Sequence, residues 1–321
     1  MCALFGWLDF GGIVPSKILN RFTQSLAIAC EERGTDASGI AYLKGGKMAI
    51  YKRPKPAHKL KFNVPDGTKA VMGHTRLTTQ GNQKYNWNNH PFLGHADIEF
   101  AFAHNGVLSN DKELKKSKNL PYTHIETDSY VGVQLLEKSG VINFDSLKSM
   151  AEDVRGSFTF TVLDAENSLY FVKGSSPLFL IYFERLGLYA YASTKSIMMT
   201  ALQMCGLQKQ PYQVIDAEEG EIIKIDSNGF LSRDTYSPHY SSFLGGWGYR
   251  YDDYYTGQEE LLLDICGYFG VDEDDVILLL DYGYTSDEIE EMLLDTDILN
   301  ETLNSIKGEE DCFKYLVSEC Y

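Results

Sequence analysis

The chain has 321 residues, a net charge of −16 at pH 7, 44% hydrophobic and 13% aromatic content, enough to bury a full core and unlike a disordered chain. No apolar run approaches the ~18–20 residues that a membrane-spanning helix needs, and no basic stretch followed by an apolar one marks a secretory leader. Six cysteines lie far apart without a Cys-x-x-Cys pair, a pattern of reduced thiols in a cytoplasmic protein rather than of a disulfide frame or a zinc site.

From Met1 to about Ser227, short β-like runs alternate with amphipathic stretches. The expected strands are Ala3–Leu8, Gly39–Tyr42, Lys47–Lys52, Ala70–His74, Phe100–Asn105, Ser157–Asp164, Leu169–Lys173, Leu178–Phe183, Leu188–Ser193 and Glu221–Ile225. They are rich in Val, Ile, Phe and Tyr and bounded by Gly, Asn and Asp turns, and several are apolar throughout, as strands buried on both faces are. Helices are expected over Pro15–Glu32, Thr127–Lys138, Asp145–Val154 and Lys195–Cys205; in the first, Ile18, Phe22, Leu26 and Ala29 form one apolar stripe. The alternation predicts two sheets covered by helices.

Residues 237–257 are crowded with Gly, Ser and Tyr and read as a linker. Acidic helical patterns follow near Glu259–Phe269, Asp272–Asp281 and Ser286–Leu294, with a fourth near Glu309–Glu319. Thr285 and Glu288 have the spacing of a capping box at the third. Residues 241–321 hold 21 Asp and Glu against Arg250, Lys307 and Lys314, a net −18, which phosphate backbones would repel and which excludes nucleic-acid binding there. The run Asp272–Asp275 lacks the alternating order of a calcium loop and reads as a charged helix start, so no metal is expected. Leu280–Tyr284 with Ile289 and Leu293 loosely resembles a ubiquitin-associated three-helix unit; a helical appendage packing on the body or on a second copy stands beside that reading. The expected organisation is a domain over 1–236, a linker over 237–257 and an acidic helical module over 258–321.

Six segments carry the chemistry-bearing residues. Cys2 becomes N-terminal if Met1 is removed, and its α-amine, with an unperturbed pKa of about 8 against about 8.5 for the thiol, can then serve as base to its own side chain; an ordinary buried thiol is the other reading. Arg33-Gly34 lies in a Gly-rich turn between a helix and a strand. Arg76, in Gly73-His74-Thr75-Arg76-Leu77-Thr78-Thr79-Gln80-Gly81, stands at a strand end where its planar fork can clamp a carboxylate or lie in a solvated loop. Asn88-Asn89-His90-Pro91 follows. Asn105-Gly106 offers a side-chain amide and a backbone N–H at one point, the two donors of an oxyanion hole, or a simple turn. In Glu126-Thr127-Asp128, Thr127 or Asp128 can cap the next helix, or Asp128 can accept from a substrate ammonium.

Taken together and in this order, the segments resemble the class II glutamine amidotransferase domain of the N-terminal-nucleophile hydrolases, most closely the glucosamine-6-phosphate synthase type. The resemblance covers roughly residues 2–226 and continues through Arg155-Gly156-Ser157, Gly174–Leu178, Ala192-Ser193 and Glu218–Glu221. It implies a four-layer α/β/β/α sandwich, with Cys2 as nucleophile and base and Asn105 and Gly106 as the oxyanion hole. Arg76 and Asp128 would bind the α-carboxylate and α-amine of L-glutamine, Arg33 and Gly34 would line the site, and Thr79 and His90 would complete the binding set. Ala3-Leu4 replaces the usual Gly-Ile after the cysteine, Leu77 a common Trp and Gln80 a common His. The implied reaction hydrolyses the glutamine side-chain amide to glutamate and ammonia without metal or organic cofactor. Another amide such as a γ-glutamyl compound, or a non-catalytic glutamine- or partner-binding module, are the alternatives. About 80 residues after the linker are too few for a sugar isomerase, a phosphoribosyltransferase or an ATP-dependent synthetase, so the sequence does not name the ammonia acceptor. A separate ammonia-accepting partner met through the acidic module and a plain glutaminase both stand as expectations, with the oligomeric state open.

Overall fold

A computed structural model describes residues 2–238, 262, 266–267, 269–282, 284–293 and 297–307. The chain divides into two compact units, Met1–Ser241 and Ser242–Tyr321. In the first, strand β1 (Ala3–Asp9) leads to α1 (Ser16–Ala29), β2 (Ala37–Lys44), β3 (Lys47–Arg53), β4 (Ala70–Arg76), β5 (Phe92–His95) and β6 (Glu99–Leu108). There follow α2 (Asp111–Ser117), α3 (Tyr130–Ser139), α4 (Phe144–Asp153), β7 (Gly156–Asp164), β8 (Leu169–Lys173), β9 (Phe179–Phe183), β10 (Leu188–Ala192), α5 (Lys195–Cys205), β11 (Gln213–Ile215), β12 (Glu221–Ile225) and β13 (Leu231–Thr235).

Two antiparallel sheets result, ordered β11-β9-β10-β1-β4-β2-β3 and β13-β12-β8-β7-β6-β5. Strand alternation explains the layering. On β1, Ala3, Phe5 and Trp7 face a core built with Phe22 and Leu26 of α1 and Ile197, Met198 and Ala201 of α5. Leu4 and Leu8 face a middle core shared with Ala101 and Ala103 of β6, Leu163 of β7 and Phe171 of β8. A third core joins the far side of the second sheet to Val133 and Leu136 of α3 and Leu147 and Met150 of α4. The expected α/β/β/α sandwich is what forms, and every residue of β1 and β4 is buried, which is why β1 reads as an apolar run as far as Leu8, while β4 carries the buried polar groups His74, Thr75 and Arg76 at its end. Trp7 pins α1 to the sheet by donating its indole N–H to Thr23 Oγ1 at 2.8 Å.

The differences from expectation lie at weakly patterned segments. Helix α2 and strands β5, β11 and β13 were not foreseen: α2 buries only Asp111 and Leu114, and β13 is a polar strand at a sheet edge. Helix α3 begins at Tyr130 with Ser129 at its N-cap and no side-chain capping bond, so neither Thr127 nor Asp128 caps it.

In the second unit, Asp272 caps the helix Glu273–Asp281 through Asp274 N–H at 3.1 Å, as the charged helix start predicts. Thr285 and Glu288 exchange bonds of 2.8 and 3.4 Å ahead of the helix Ser286–Met292, completing the expected capping box. A further helix over 297–307 was not anticipated. Most of the 237–257 linker, most of Glu259–Phe269 and all of Glu309–Glu319 lie outside the described residues. Among the described residues no helix is long and apolar enough to cross a membrane.

Candidate active site

The site forms where β1, β4 and β6 meet the end of α1 and the start of α3. Ala3 pairs with Thr75, so the chain delivers half-buried Cys2 beside the end of β4, where its Sγ lies 3.4 Å from Leu77 O. Arg33, just after α1, donates Nε–H to Cys2 O at 3.1 Å and fixes the chain start. Gly34 lies so close to β4 that a Cβ there would sit 2.5 Å from both Arg76 C and Leu77 N. Gly34→Ala therefore shifts the strand end that carries Arg76; we expect it to cost about 1–3 kcal/mol of stability and to lower affinity for an α-amino acid, read by thermal melting and by ligand titration.

Arg76, buried at the end of β4, has its guanidinium plane set by Asn89 Oδ1 at 2.8 Å and by the carbonyls of Gln80 and Gly81. Asn89 is held in turn by donation to Gln83 O at 2.9 Å. Glu126 anchors the same loop: its carboxylate accepts from Asn88 Nδ2 at 2.7 Å and its carbonyl from Gln80 Nε2 at 3.0 Å. Thr79 lies half-buried in this loop.

Asn105 and Gly106 lie on β6 opposite Thr159 and Phe158. Asn105 is 1% exposed, yet neither its Nδ2 nor its Oδ1 has a hydrogen-bond partner among the described residues. Burying an unsatisfied amide costs about 1–3 kcal/mol, and such orphaned groups are expected mainly where a ligand completes them. Gly106 has φ +135, and a Cβ there would meet Ser157 O at 2.1 Å, so only glycine holds this backbone. Asp128 accepts Leu108 N–H at 2.7 Å, which ties the start of α3 to the end of β6.

Arg76, which follows Thr75, the partner of Ala3 across the β1–β4 pairing, and Asp128 both act electrostatically on the Cys2 thiol. Burial pushes that thiol above its ordinary value, Arg76 opposes the rise and Asp128 adds to it. The resting side chain is therefore a thiol that needs a base.

Behind these groups lies a layer of three buried histidines. His74 faces the carbonyl of His104 at 3.0 Å, which makes Nε2 its protonated nitrogen and couples β4 to β6. His104 bridges Ser129 Oγ at 2.8 Å and Ser157 O at 3.2 Å. The His90 ring is packed between His74, at 4.2 Å between centroids, and Phe92, at 4.4 Å, with no hydrogen-bond partner for either nitrogen among the described residues. Burial lowers all three, His74 to about 3, so they are neutral at pH 7. Their folded-state values lie below the ordinary 6.5, so the unfolded chain takes up protons first as pH falls; stability should decline from pH 6.5 downward. Urea midpoints at about pH 7 and about pH 5 check this, with a smaller difference expected in His74→Gln.

The fold thus gathers Cys2, Arg33, Gly34, Arg76, Asn105, Gly106 and Asp128, while His90 packs in the layer behind them. Sequence reasoning missed Asn89, Glu126, His74 and His104 as supports. The signal was present in the paired segments Gly73-His74 and Ala103-His104, each placing a histidine one or two residues before a site residue.

A family model for a glutamine amidotransferase domain matches residues 74–200, a span that includes Arg76, Asn105, Gly106 and Asp128 but not Cys2. The chain is similar to the glutamine–fructose-6-phosphate aminotransferase (isomerizing) of Staphylococcus aureus, 28% identical over 252 residues, covering 74% of this chain and 39% of that protein. It is also 27% identical over 236 residues to 7-cyano-7-deazaguanine synthase 2 of Sulfurisphaera tokodaii, covering 70% of this chain and 50% of that one. The glutamine phosphoribosylpyrophosphate amidotransferase structure from B. subtilis superposes with a TM-score of 0.57 at 22% identity, covering 74% of this chain and 49% of that one. The chain therefore spans half or less of the length of these relatives. Residues 74–200 thus match a glutamine amidotransferase domain, and the chain is similar to these relatives over 70–74% of its length.

Proposed function

We propose that residues 2–236 hydrolyse the side-chain amide of L-glutamine, with Cys2 as the N-terminal nucleophile once Met1 is removed. Arg76 binds the α-carboxylate and Asp128 the α-ammonium, opposite charges matched to the two ends of an amino acid. The free amine of Cys2 takes the thiol proton, the thiolate attacks the amide carbon, and the oxyanion forms between Asn105 Nδ2–H and the Gly106 N–H. The amine returns its proton to the leaving nitrogen, ammonia departs, and a γ-glutamyl thioester remains. Water then cleaves it to glutamate and restores the thiol. The orphaned, buried amide of Asn105 beside Gly106 is the observation that carries this reading, because an oxyanion completes it.

The ammonia goes to an acceptor on a separate protein of the reducing cytoplasm. The acidic helical module beyond the linker serves as the docking element for that partner. Its charge of −18 over residues 241–321 suits a basic surface.

Intact mass together with glutamate release from L-glutamine tests the reading. The expected protein lacks one methionine and releases glutamate at a low basal rate. A processed protein that neither turns over glutamine nor forms an adduct with a glutamine-like electrophile sinks it.

A further inference from the structure

Lys52 stands on β3, the edge strand of the first sheet, directly opposite Gly39 of β2. A Cβ on Gly39 would lie 2.5 Å from His90 O and 2.6 Å from Lys52 Cβ. The bare glycine therefore gives the Lys52 side chain and the 89–91 segment room to meet across β2. There the ammonium donates to Asn89 O and, at 2.9 Å, to Pro91 O, and sits 4.8 Å from the centre of the Phe92 ring. Asn86 Nδ2 donates back to Lys52 O at 3.0 Å. The segment held this way contains Asn89, whose side chain sets the plane of Arg76.

We propose that Lys52 is a positioning residue of the carboxylate site, holding the Asn89–Pro91 segment that orients Arg76 and making glutamine affinity depend on the charge of its own ammonium. The proposal rests on the glutaminase reading and adds to it a residue that never touches substrate.

Among the described residues Lys52 has no ion-pair partner. The groups facing it are Arg76 and His74 from β4 and His90 from the loop, one cation and two neutral imidazoles. Burial, and then Arg76, lower its pKa to about 7, so it changes charge where the histidines do not. A substrate carboxylate arriving at Arg76 cancels part of that repulsion and favours the protonated amine. By reciprocity, protonated Lys52 favours the carboxylate. Glutamine binding at neutral pH is thus accompanied by proton uptake, and affinity falls as pH rises through neutrality.

The test is steady-state glutamate release between about pH 6 and pH 9 for wild type, Lys52→Met and Lys52→Arg, with circular dichroism as a folding control. Lys52→Met should raise KM for glutamine about tenfold at the acid end with kcat within about threefold, because only ground-state positioning is lost. Wild-type KM should climb with pH relative to both variants, while Lys52→Arg stays low and Lys52→Met stays high. Titrations of substrate and of Cys2 are common to all three proteins and cancel in the comparison. Equal KM profiles for wild type and Lys52→Arg overturn the inference, and that comparison suffices if Lys52→Met fails to fold. A glutamine-hydrolysing wild type with such profiles leaves the functional reading standing; a wild type that neither binds nor hydrolyses glutamine overturns both.

Discussion

Cys2→Ala is expected to lower glutamate release by about 10⁴-fold or more, because it removes the only atom that can form the thioester. Burial keeps the Cys2 thiol protonated, so the nucleophile depends on a base, and the reading supplies that base from the same residue's amine. Two further variants separate nucleophile from base. Cys2→Ser keeps an attacking atom but offers a far less acidic hydroxyl, and should be nearly as slow. A wild-type chain with an uncleaved N-terminal extension keeps the thiol but turns the nitrogen into an amide. It should be silent, and proteolysis that leaves Cys2 first should restore it. Folding is not at stake, because Arg33 grips the Cys2 carbonyl and β1 begins only at Ala3, neither of which these changes touch. Appreciable turnover by Cys2→Ala, measured as glutamate release, would remove the N-terminal mechanism.

Much of the fold is legible in the sequence. Strands Leu169–Lys173 and Glu221–Ile225 and helix Lys195–Cys205 have the predicted bounds, because each buries a clean apolar pattern between strong turn or cap signals; Thr194 accepts from Ile197 N–H at 3.2 Å to start the helix. The family resemblance singled out Arg76, Asn105 and Asp128; read alone, a loop arginine, an Asn-Gly turn and a helix cap stood open at those positions. The supports were not legible. Lys52 reads as one charge among many on a strand, and its partners Asn89 and Pro91 lie 37 and 39 residues away. Nothing local encodes that pairing, which exists only because Gly39 and the sheet register bring the groups together. Helix α2 escaped for the opposite reason: with seven residues and one buried apolar side chain, Leu114, it has local order but almost no hydrophobic period.

The second large effect concerns Asn105, and its sign differs between two readouts. Under the proposed mechanism, Asn105→Ala removes one of the two oxyanion donors and should cut kcat by about 10²–10³, or about 3–4 kcal/mol of barrier. KM should stay within a few-fold, because Arg76 and Asp128 still hold the amino-acid end and the lost bond forms only as charge develops. Stability should move the other way or not at all. In the resting protein the Asn105 amide is buried without a partner among the described residues, so its removal lifts a desolvation penalty of about 1–3 kcal/mol against the loss of a few packed atoms. A structural asparagine would show the reverse: a lower melting temperature and an almost unchanged kcat. Asn105→Asp sharpens the contrast, since it keeps the shape but replaces the donor with an anion where negative charge must form, and should be slower still. The backbone donor cannot be tested so simply, because any side chain at Gly106 meets Ser157 O at 2.1 Å. That constraint is itself informative. In the proposed mechanism, a negative charge arriving between the Gly106 N–H and the unsatisfied Asn105 amide is the event that offsets the cost of leaving that amide buried.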